Sequence, residues 1–439
     1  MALFCRRNAA LADWEHEKGT RPFMNIGFIS TRLAGVDGVS LETEKMDSVL
    51  RRMGHETFYC AGELDEHMVD RGMVIPEMHF RHPEVLAIQD VAFDSLHPPA
   101  SLFSRSYALA DYLRQELRRF VHNYEIDLLI SQNSSTIPMN IPLGLAIRDL
   151  VARTRTKLLC HHHDFYWERE RFLNHGIQDI LDEAFPPNLE PIRHLVISTI
   201  ARRELRSRTG IWATYLPNVF DFANPPAPPD EYSATFRQDL GLTDEDILIL
   251  QPTRVVRRKG IERAIELVEK LDDPRAVLVV TGDTSDEPGG YGDWLLDQAR
   301  RAGIRFIFAS EWIDDDRGER NGHKVYSLWD VYPHADLITY PSVIEGFGNA
   351  LIEMVYFRKP FVVHTYPIYR ADIRPTGIRA IEFNYDITDE VVHKVKELLA
   401  NPDLQQEITE TNYEIGKQHF SYEVMEQTLR IVLDQFDRI

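Results

Sequence analysis

Short apolar segments of strand length alternate with segments of helical pattern along most of the chain, and this alternation constrains the fold more than any other feature. Helices between strands let consecutive strands run in one direction, so the pattern predicts βαβ units in doubly wound parallel sheets. The predicted strands cover residues 24–30, 55–62, 127–131, 157–163, 194–198, 247–253, 276–283, 304–309, 336–342 and 361–364. One predicted helix ends at Met53. The others cover residues 102–124, 141–153, 259–271, 291–302, 348–357, 388–400, 403–418 and 421–437.

A proline-rich segment divides the alternating pattern into two similar halves. Residues 221–230 read DFANPPAPPD, and four prolines in ten residues can continue neither a helix nor a central strand. The prediction is an α/β protein with two Rossmann-like domains that face each other across a cleft. The predicted parts are a polar extension (1–23), a first domain (24–222), a linker (223–230), a second domain (231–418) and a helix (about 419–439) that returns to the first domain.

The charge of the chain argues against binding to nucleic acid and to an anionic membrane surface. Acidic residues outnumber basic ones by 69 to 49, a net charge of −20, whereas proteins that bind nucleic acid need clustered Lys and Arg. No apolar run approaches the roughly 18–20 residues that span a bilayer. The 3 cysteines show no CxxC spacing, and the first 23 residues do not resemble a secretory signal. We therefore expect a cytoplasmic protein without a transmembrane segment. A homodimer is left open, because the sequence does not determine the oligomeric state.

The most informative motif lies where a strand of the second half ends and a helix begins. The segment YPSVIEGFGNALIE places Glu345 before a glycine-rich turn and Glu353 about one turn into the helix. Free backbone N–H groups at such a turn can face an anion. Gly346 and Gly348 allow a ligand to approach the backbone closely. Taken alone, these features also fit a surface acid and a helix acid that the macrodipole stabilises.

The two glutamates, with seven residues between them, resemble the E-x7-E motif of retaining glycosyltransferases of the GT-B fold, family 4. The resemblance implies that Glu345 contacts the transferred sugar and that Glu353 binds the nucleotide ribose. It also implies that backbone N–H groups of the turn approach the sugar hydroxyls and the diphosphate. The turn residues concerned are Gly346, Phe347, Gly348 and Asn349.

A second segment supports this resemblance. The sequence QPTRVVRRKG follows the first strand of the second half and is similar to the R-x4-KG element of the family. Arg254 and Lys259 are thereby expected to bind the donor and stabilise the leaving diphosphate, one as a fork-shaped donor and the other as a point charge. Arg257 and Arg258 are expected to face solvent.

Two loops of the first half complete the predicted site. Gly35 and Gly38 lie in a loop that resembles the family's N-terminal glycine-rich loop, although GVDG replaces the usual adjacent glycines. We expect both glycines to bind the donor.

Three successive histidines stand at the end of the predicted strand 157–163, after Cys160. Neighbouring side chains on a strand alternate between faces, which argues against a metal site. By the resemblance, His163 lies near the reacting sugar and contributes to catalysis. Acceptor contacts are predicted for His162, Asp164 and Asn133.

The resemblance implies an activity as well as a fold. It predicts transfer of a hexose, with retention, from a nucleotide-diphosphate sugar to a hydroxyl group. A UDP-sugar is favoured, and GDP- and ADP-sugars are alternatives. The acceptor is expected to be a small soluble molecule, although a lipid or polysaccharide precursor stays open. Because side chains supply the positive charge, neither a metal ion nor a cofactor is required.

Three other classes of protein share parts of this pattern. A nucleotide-sugar epimerase or a phosphorylase has the same architecture, but needs another carboxylate arrangement or a cofactor lysine. A NAD-dependent oxidoreductase needs G-x-G-x-x-G after a strand, and GFGNAL at 346–351 lacks the third glycine. A non-catalytic nucleotide-sugar-binding protein is the alternative that the sequence excludes least well.

Overall fold

The computed structural model describes residues 23–35, 37–285, 287 and 289–436. Its first half forms a seven-stranded sheet in the order β3-β2-β1-β4-β5-β6-β7, and every neighbouring pair is parallel. The predicted polar extension lies outside the described residues, apart from Phe23. The strands are β1 (Asn25–Ile29), β2 (Glu56–Ala61), β3 (Gly72–Val74), β4 (Leu128–Gln132), β5 (Lys157–His162), β6 (Ile192–Val196) and β7 (Thr214–Tyr215).

The second half forms a six-stranded parallel sheet in the order β10-β9-β8-β14-β15-β16. A small three-stranded sheet, β11-β13-β12, is inserted before β14. The strands are β8 (Ile247–Gln251), β9 (Ala276–Val280), β10 (Arg305–Phe308), β11 (Ile313–Asp314), β12 (Gly318–Arg320), β13 (His323–Ser327), β14 (Leu337–Tyr340), β15 (Phe361–His364) and β16 (Ile381–Phe383).

Helices connect the strands in both halves. The α-helices of the first half are α1 (Gly38–Arg52), α2 (Glu66–Val69), α3 (Pro83–Asp94), α4 (Ala100–Asn123), α5 (Ile141–Thr154), α6 (Gln178–Ala184) and α7 (Thr199–Thr209). Those that follow are α8 (Phe236–Asp239), α9 (Ile261–Leu271), α10 (Tyr291–Ala302), α11 (Leu328–Val331), α12 (Asn349–Tyr356), α13 (Asp389–Leu399), α14 (Pro402–His419) and α15 (Tyr422–Phe436). Within the described residues, no helix is long and apolar enough to cross a membrane.

The central strands are buried over nearly their whole length, as the apolar pattern predicts. Every residue of β4 and of β9 is buried, and β1 is buried from Ile26 to Ile29. Helices on both faces of a parallel sheet shield its central strands from solvent, and the edge strands β3 and β10 stay partly exposed. In each sheet the strand order reverses beside the first strand, between β1 and β4 and between β8 and β14. Ligands in such sheets bind beyond the carboxyl ends of the strands at this reversal.

The chain returns to the first half at its C-terminal end. Met425, Leu429 and Val432 of α15 are fully buried in the apolar cluster that also contains Ile26 and Phe28 of β1. The Phe220 N–H donates to the carbonyl oxygen of Phe420 at 2.8 Å, beside the start of α15. The architecture of two parallel-sheet α/β domains is thus confirmed, while the residue limits predicted for each domain stay predictions.

Candidate functional site

The turn before α12 lies against the carboxyl end of the first sheet. A Cβ atom added to Gly346 would lie 3.5 Å from the carbonyl oxygen of His163. One added to Gly38, at the start of α1, would lie 4.0 Å from Nδ2 of Asn349. Loops that are far apart in the sequence therefore meet between the two domains, where the strand-order reversals place ligand sites.

A buried ion pair occupies the second domain's side of this cleft. Lys259 Nζ contacts Glu345 Oε1, and the two side chains are only 11% and 8% exposed. Burial alone raises the pKa of Glu345, but the charges of Lys259 and Arg258 outweigh burial and leave that pKa below its usual value. Burial lowers the pKa of Lys259, and Glu345 opposes this shift. The pair therefore keeps the Glu345 carboxylate ionised and places a buried ammonium group beside it.

Arg258 also contacts this pair, while its side chain stays exposed, as the sequence predicts. Its Nη1 donates to Glu345 Oε2 at 3.2 Å and to the carbonyl oxygen of Ile344 at 3.1 Å, with 42% of the side chain exposed. The sequence does not predict this contact because Arg258 and Glu345 are 87 positions apart. Arg254 is exposed near the pair, where its charge contributes to the lowered pKa of Lys259.

The second glutamate of the motif is held deeper in the cleft. The hydroxyl of Tyr332 donates to Glu353 Oε2 at 2.6 Å. Burial raises the pKa of Glu353, which Tyr332 and Lys45 partly counteract. Lys45 belongs to α1 of the first domain, so groups from both domains determine the charge state of Glu353.

Two residues of the turn are fixed by packing rather than open to a ligand. Gly348 has φ 118°, in the region that only glycine adopts readily, and an added Cβ would lie 2.4 Å from the Tyr366 hydroxyl oxygen. That hydroxyl donates to the carbonyl oxygen of Phe347 at 2.8 Å. The Phe347 side chain is buried beside Phe420. Donor binding by Phe347 and Gly348 through their backbone N–H groups therefore stays a prediction.

The two glycines predicted in the glycine-rich loop of the first domain have different surroundings. The Gly35 N–H donates to the carboxylate of Asp65, at 3.1 Å to Oδ2, and is therefore not directed to a donor phosphate. Gly38 begins α1 and lies beside Asn349. Asp37 caps this helix by accepting from the N–H groups of Val39 and Ser40.

The three histidines alternate between faces, as their position on a strand requires. The rings of His161 and His163 are 4.4 Å apart, and both approach Oε1 of Gln132, at 3.0 and 3.2 Å. Burial lowers the pKa of His163 to about 4, and the neighbouring Asp164 and Asp37 oppose this shift. His163 is therefore neutral at physiological pH.

His162 does not reach the cleft, which corrects its prediction as an acceptor contact. Its Nδ1 lies 2.5 Å from Thr136 Oγ1 and its Nε2 lies 2.9 Å from His194 Nδ1, so both ring nitrogens are already paired. Only 1% of the residue is exposed. Strand alternation directs it into the domain, on the face opposite to His163.

Asn133 and Asp164 hold the loop that carries His163. Asn133 Oδ1 accepts from the His163 N–H at 3.1 Å, and its Nδ2 donates to Asp164 Oδ1 at 2.9 Å. Asp164 also pairs with Arg169. Both side chains are thus engaged within the chain, and their direct contact with an acceptor stays a prediction. Gln132, which contacts two histidines, was not predicted because no pattern in the sequence singles it out.

The histidine triplet does not form a metal-ligand set. Among the described residues, only Glu44, Asp65 and His67 bring three potential ligand atoms within 4.8 Å of one another. None of these three is a predicted site residue, and His67 is exposed. Metal independence therefore stays a prediction.

Comparison with known proteins agrees with this geometry. Residues 233–415, which include Lys259, Glu345 and Glu353, match the family described as glycosyl transferases group 1. A mannosylglucosylglycerate synthase from Thermotoga maritima is 31% identical and covers 92% of this chain and 99% of its own. A protein of the same name from Petrotoga mobilis is also 31% identical, over 82% of this chain and 86% of its own.

Solved structures show the same fold at lower sequence identity. A glycosyltransferase from Rickettsia africae has a TM-score of 0.68 and 14% identity, covering 95% of this chain and 99% of its own. HepE from Anabaena, in complex with UDP-glucose, has a TM-score of 0.63 and 14% identity, covering 94% of this chain and 99% of its own. The two domains and their cleft define a glycosyltransferase of the GT-B fold. Within that class, the chain belongs to the family of glycosyl transferases group 1.

Proposed function

We propose that the protein transfers a hexose, with retention, from a nucleotide-diphosphate sugar to a hydroxyl group of a small acceptor. The observation that carries this proposal is the buried Lys259–Glu345 pair beside the start of α12, opposite His163 across the cleft. This arrangement supplies positive charge and N–H groups for a leaving diphosphate, and a carboxylate for sugar hydroxyls.

The names of the relatives suggest the substrates. The name mannosylglucosylglycerate synthase describes a product with mannosyl, glucosyl and glycerate units, and we infer from it that the present chain adds a mannosyl unit to a glucosylglycerate acceptor. The donor is then a nucleotide-diphosphate mannose or a related hexose donor, with UDP, GDP and ADP as the candidate nucleotides. The acceptor is a small glycoside that carries a glycerate carboxylate, within the soluble class expected from the sequence.

In the proposed reaction, some residues neutralise charge and others position the substrates. Lys259, with Arg254 at the cleft, neutralises the charge that grows on the diphosphate as the bond to the sugar breaks. Glu345 positions the sugar, and Glu353 accepts from the ribose. The departing phosphate oxygen takes the proton of the acceptor hydroxyl as that hydroxyl attacks from the same face. Neutral His163 contacts the reacting sugar through its backbone carbonyl or its ring. Side-chain cations fill the role of a metal ion.

Activity assays with a panel of donors test this proposal. UDP-glucose, GDP-mannose and ADP-glucose are each supplied with and without glucosylglycerate, and nucleotide-diphosphate release is followed in the presence of EDTA. We expect acceptor-dependent release with one donor, and its loss in Glu345→Gln. The exposed Glu397→Gln variant serves as the matched control. Binding of a nucleotide without any acceptor-dependent release would instead favour a non-catalytic binding protein.

A further inference from the structure

A charged side chain of the first domain is buried against the turn of the second. Glu42, in α1, is only 1% exposed. Its Oε1 accepts from Lys45 Nζ at 2.6 Å, and that ammonium lies 3.8 Å from the centre of the Phe220 ring. Burial raises the pKa of Glu42, and Lys45 counteracts the shift. Burying a carboxylate is costly even when it is paired, so packing alone does not account for this residue.

The second carboxylate oxygen of Glu42 is buried one helical turn after Gly38, the residue of α1 that lies beside Asn349. Within the described residues, Oε2 is buried without a hydrogen bond of normal geometry. The Val219 N–H and the side-chain amide of Asn349 are nevertheless close enough to lower the pKa of Glu42. An orphaned acceptor at a domain boundary is expensive unless a donor approaches it in the working state.

Asn349 has an amide donor on this side. Its Oδ1 accepts from Nδ2 of Asn218, which leaves the Nδ2 of Asn349 as the donor facing α1. Asn349 is also the first residue of α12, whose N–H groups are the proposed diphosphate contacts. A link from Glu42 through Asn349 therefore joins α1 to the end of α12 that faces the donor.

We propose that Glu42 is a positioning residue that holds the Asn349 amide, and with it the start of α12, in the orientation that receives the donor diphosphate. This inference rests on the proposed function of the cleft. Lys45 neutralises the buried carboxylate and also contributes to the charge environment of Glu353. The first domain thereby helps to bind a nucleotide that the second domain contacts directly.

A double-mutant cycle tests this role through nucleotide binding. The variants are Glu42→Met, Asn349→Ala and their combination, and calorimetry measures the dissociation constant of the nucleoside diphosphate that the wild type binds. We expect each single change to weaken binding about tenfold, and the double variant to be no weaker than either single one. Glu42→Gln, which keeps an acceptor for Asn349, should stay within about threefold of the wild type. Glu44→Gln on the same helix is the control.

Kinetics separate positioning from a general structural effect. In Glu42→Met we expect the donor KM to rise about tenfold while the acceptor KM stays unchanged. Glu42→Met leaves the buried charge of Lys45 without a partner, which can prevent folding. In that case the variant Glu42→Met/Lys45→Met, which removes both charges, replaces Glu42→Met in the cycle.

Additive losses in the cycle, or unchanged binding in Glu42→Met, would overturn the inference. A wild type that binds none of UDP, GDP or ADP would instead overturn the proposed function itself.

Discussion

At the residue scale, the central feature is one carboxylate shared by two cations. Glu345 pairs with Lys259 on one oxygen and with Arg258 on the other. The ammonium is nearly as buried as the carboxylate, so each charge depends on the other for its stability. The arrangement keeps Glu345 ionised and holds a positive charge beside the proposed diphosphate position.

Replacing Lys259 by Met should affect both activity and its pH dependence. The lost charge should lower kcat/KM by a factor of about 100 to 1,000. The pKa of Glu345 is kept low chiefly by Lys259, so it should rise in the variant, and the acid limb of the pH profile should move to higher pH.

Pre-steady-state or initial-rate assays from pH 4 to pH 9 measure this effect. Lys394→Met, on the exposed surface of α13, is the control for loss of a lysine. An unchanged acid limb in Lys259→Met would contradict the electrostatic role assigned to the pair.

The two glycines of the turn should respond differently to alanine. An alanine Cβ at position 346 meets nothing closer than 3.5 Å, so Gly346→Ala should fold normally but weaken nucleotide-sugar binding by occupying the cleft. At position 348 the Cβ would clash with the Tyr366 hydroxyl at 2.4 Å, at a φ of 118°. Gly348→Ala should therefore lower the free energy of unfolding by about 2 kcal/mol or more.

Chemical denaturation and calorimetric titration separate these two effects. Gly210→Ala, at another positive-φ glycine whose Cβ has open space around it, controls for backbone strain alone. Equal stability losses in Gly346→Ala and Gly348→Ala would show that the assignment of the two positions is wrong.

At the element scale, β5, the residue that follows it and β6 provide histidines that the fold keeps neutral. Burial lowers the pKa of His163 to about 4 and that of His194 to about 3, and it lowers the pKa values of His161 and His162 well below normal. These rings take up protons more readily in the unfolded chain. The free energy of unfolding should therefore fall as the pH drops from about 6.5 towards 4.

Replacing His194 by Gln should remove part of this pH dependence. One ring of this kind accounts for a decrease of about 2 kcal/mol in the free energy of unfolding between pH 7 and pH 5. Between pH 7 and pH 5, the free energy of unfolding of His194→Gln should therefore decrease by about 2 kcal/mol less than that of the wild type. Denaturation curves at the two pH values measure this difference. The exposed His97→Gln variant should behave as the wild type. An identical pH dependence in all three proteins would contradict this account of the strands.

The elements that the sequence predicts well are those with a strong apolar pattern. The predicted helix 141–153 is Ile141–Thr154 in the structure, and the predicted strand 361–364 is Phe361–His364. Short or amphipathic elements were missed, among them β7 with two residues and the inserted sheet β11-β13-β12. Segments of two or three residues contain too few positions to show a period, and β13 reads HKVYS, which has no continuous apolar run.

At the scale of the whole molecule, the site depends on contacts between the domains. The Thr199 N–H, at the start of α7, donates to Asp372 Oδ2 of the second domain at 2.8 Å. In the same interface, Asn349 lies beside the start of α1, the helix that contains Glu42. Motif spacing predicts which loops carry polar residues, but not which partners the docked domains bring together. The sequence therefore pointed to Glu345 and Lys259, whereas the roles of Arg258, Gln132 and Glu42 depend on tertiary structure.

Proton NMR of the reaction product tests the central claim most directly. The donor selected by the nucleotide panel is incubated with glucosylglycerate, and the coupling constants and through-space contacts of the new anomeric proton are measured. A transferred sugar with the same anomeric configuration as in the donor is the predicted result, with no product from Glu345→Gln. A product of inverted configuration, or release of free sugar without any linkage to the acceptor, would contradict the account.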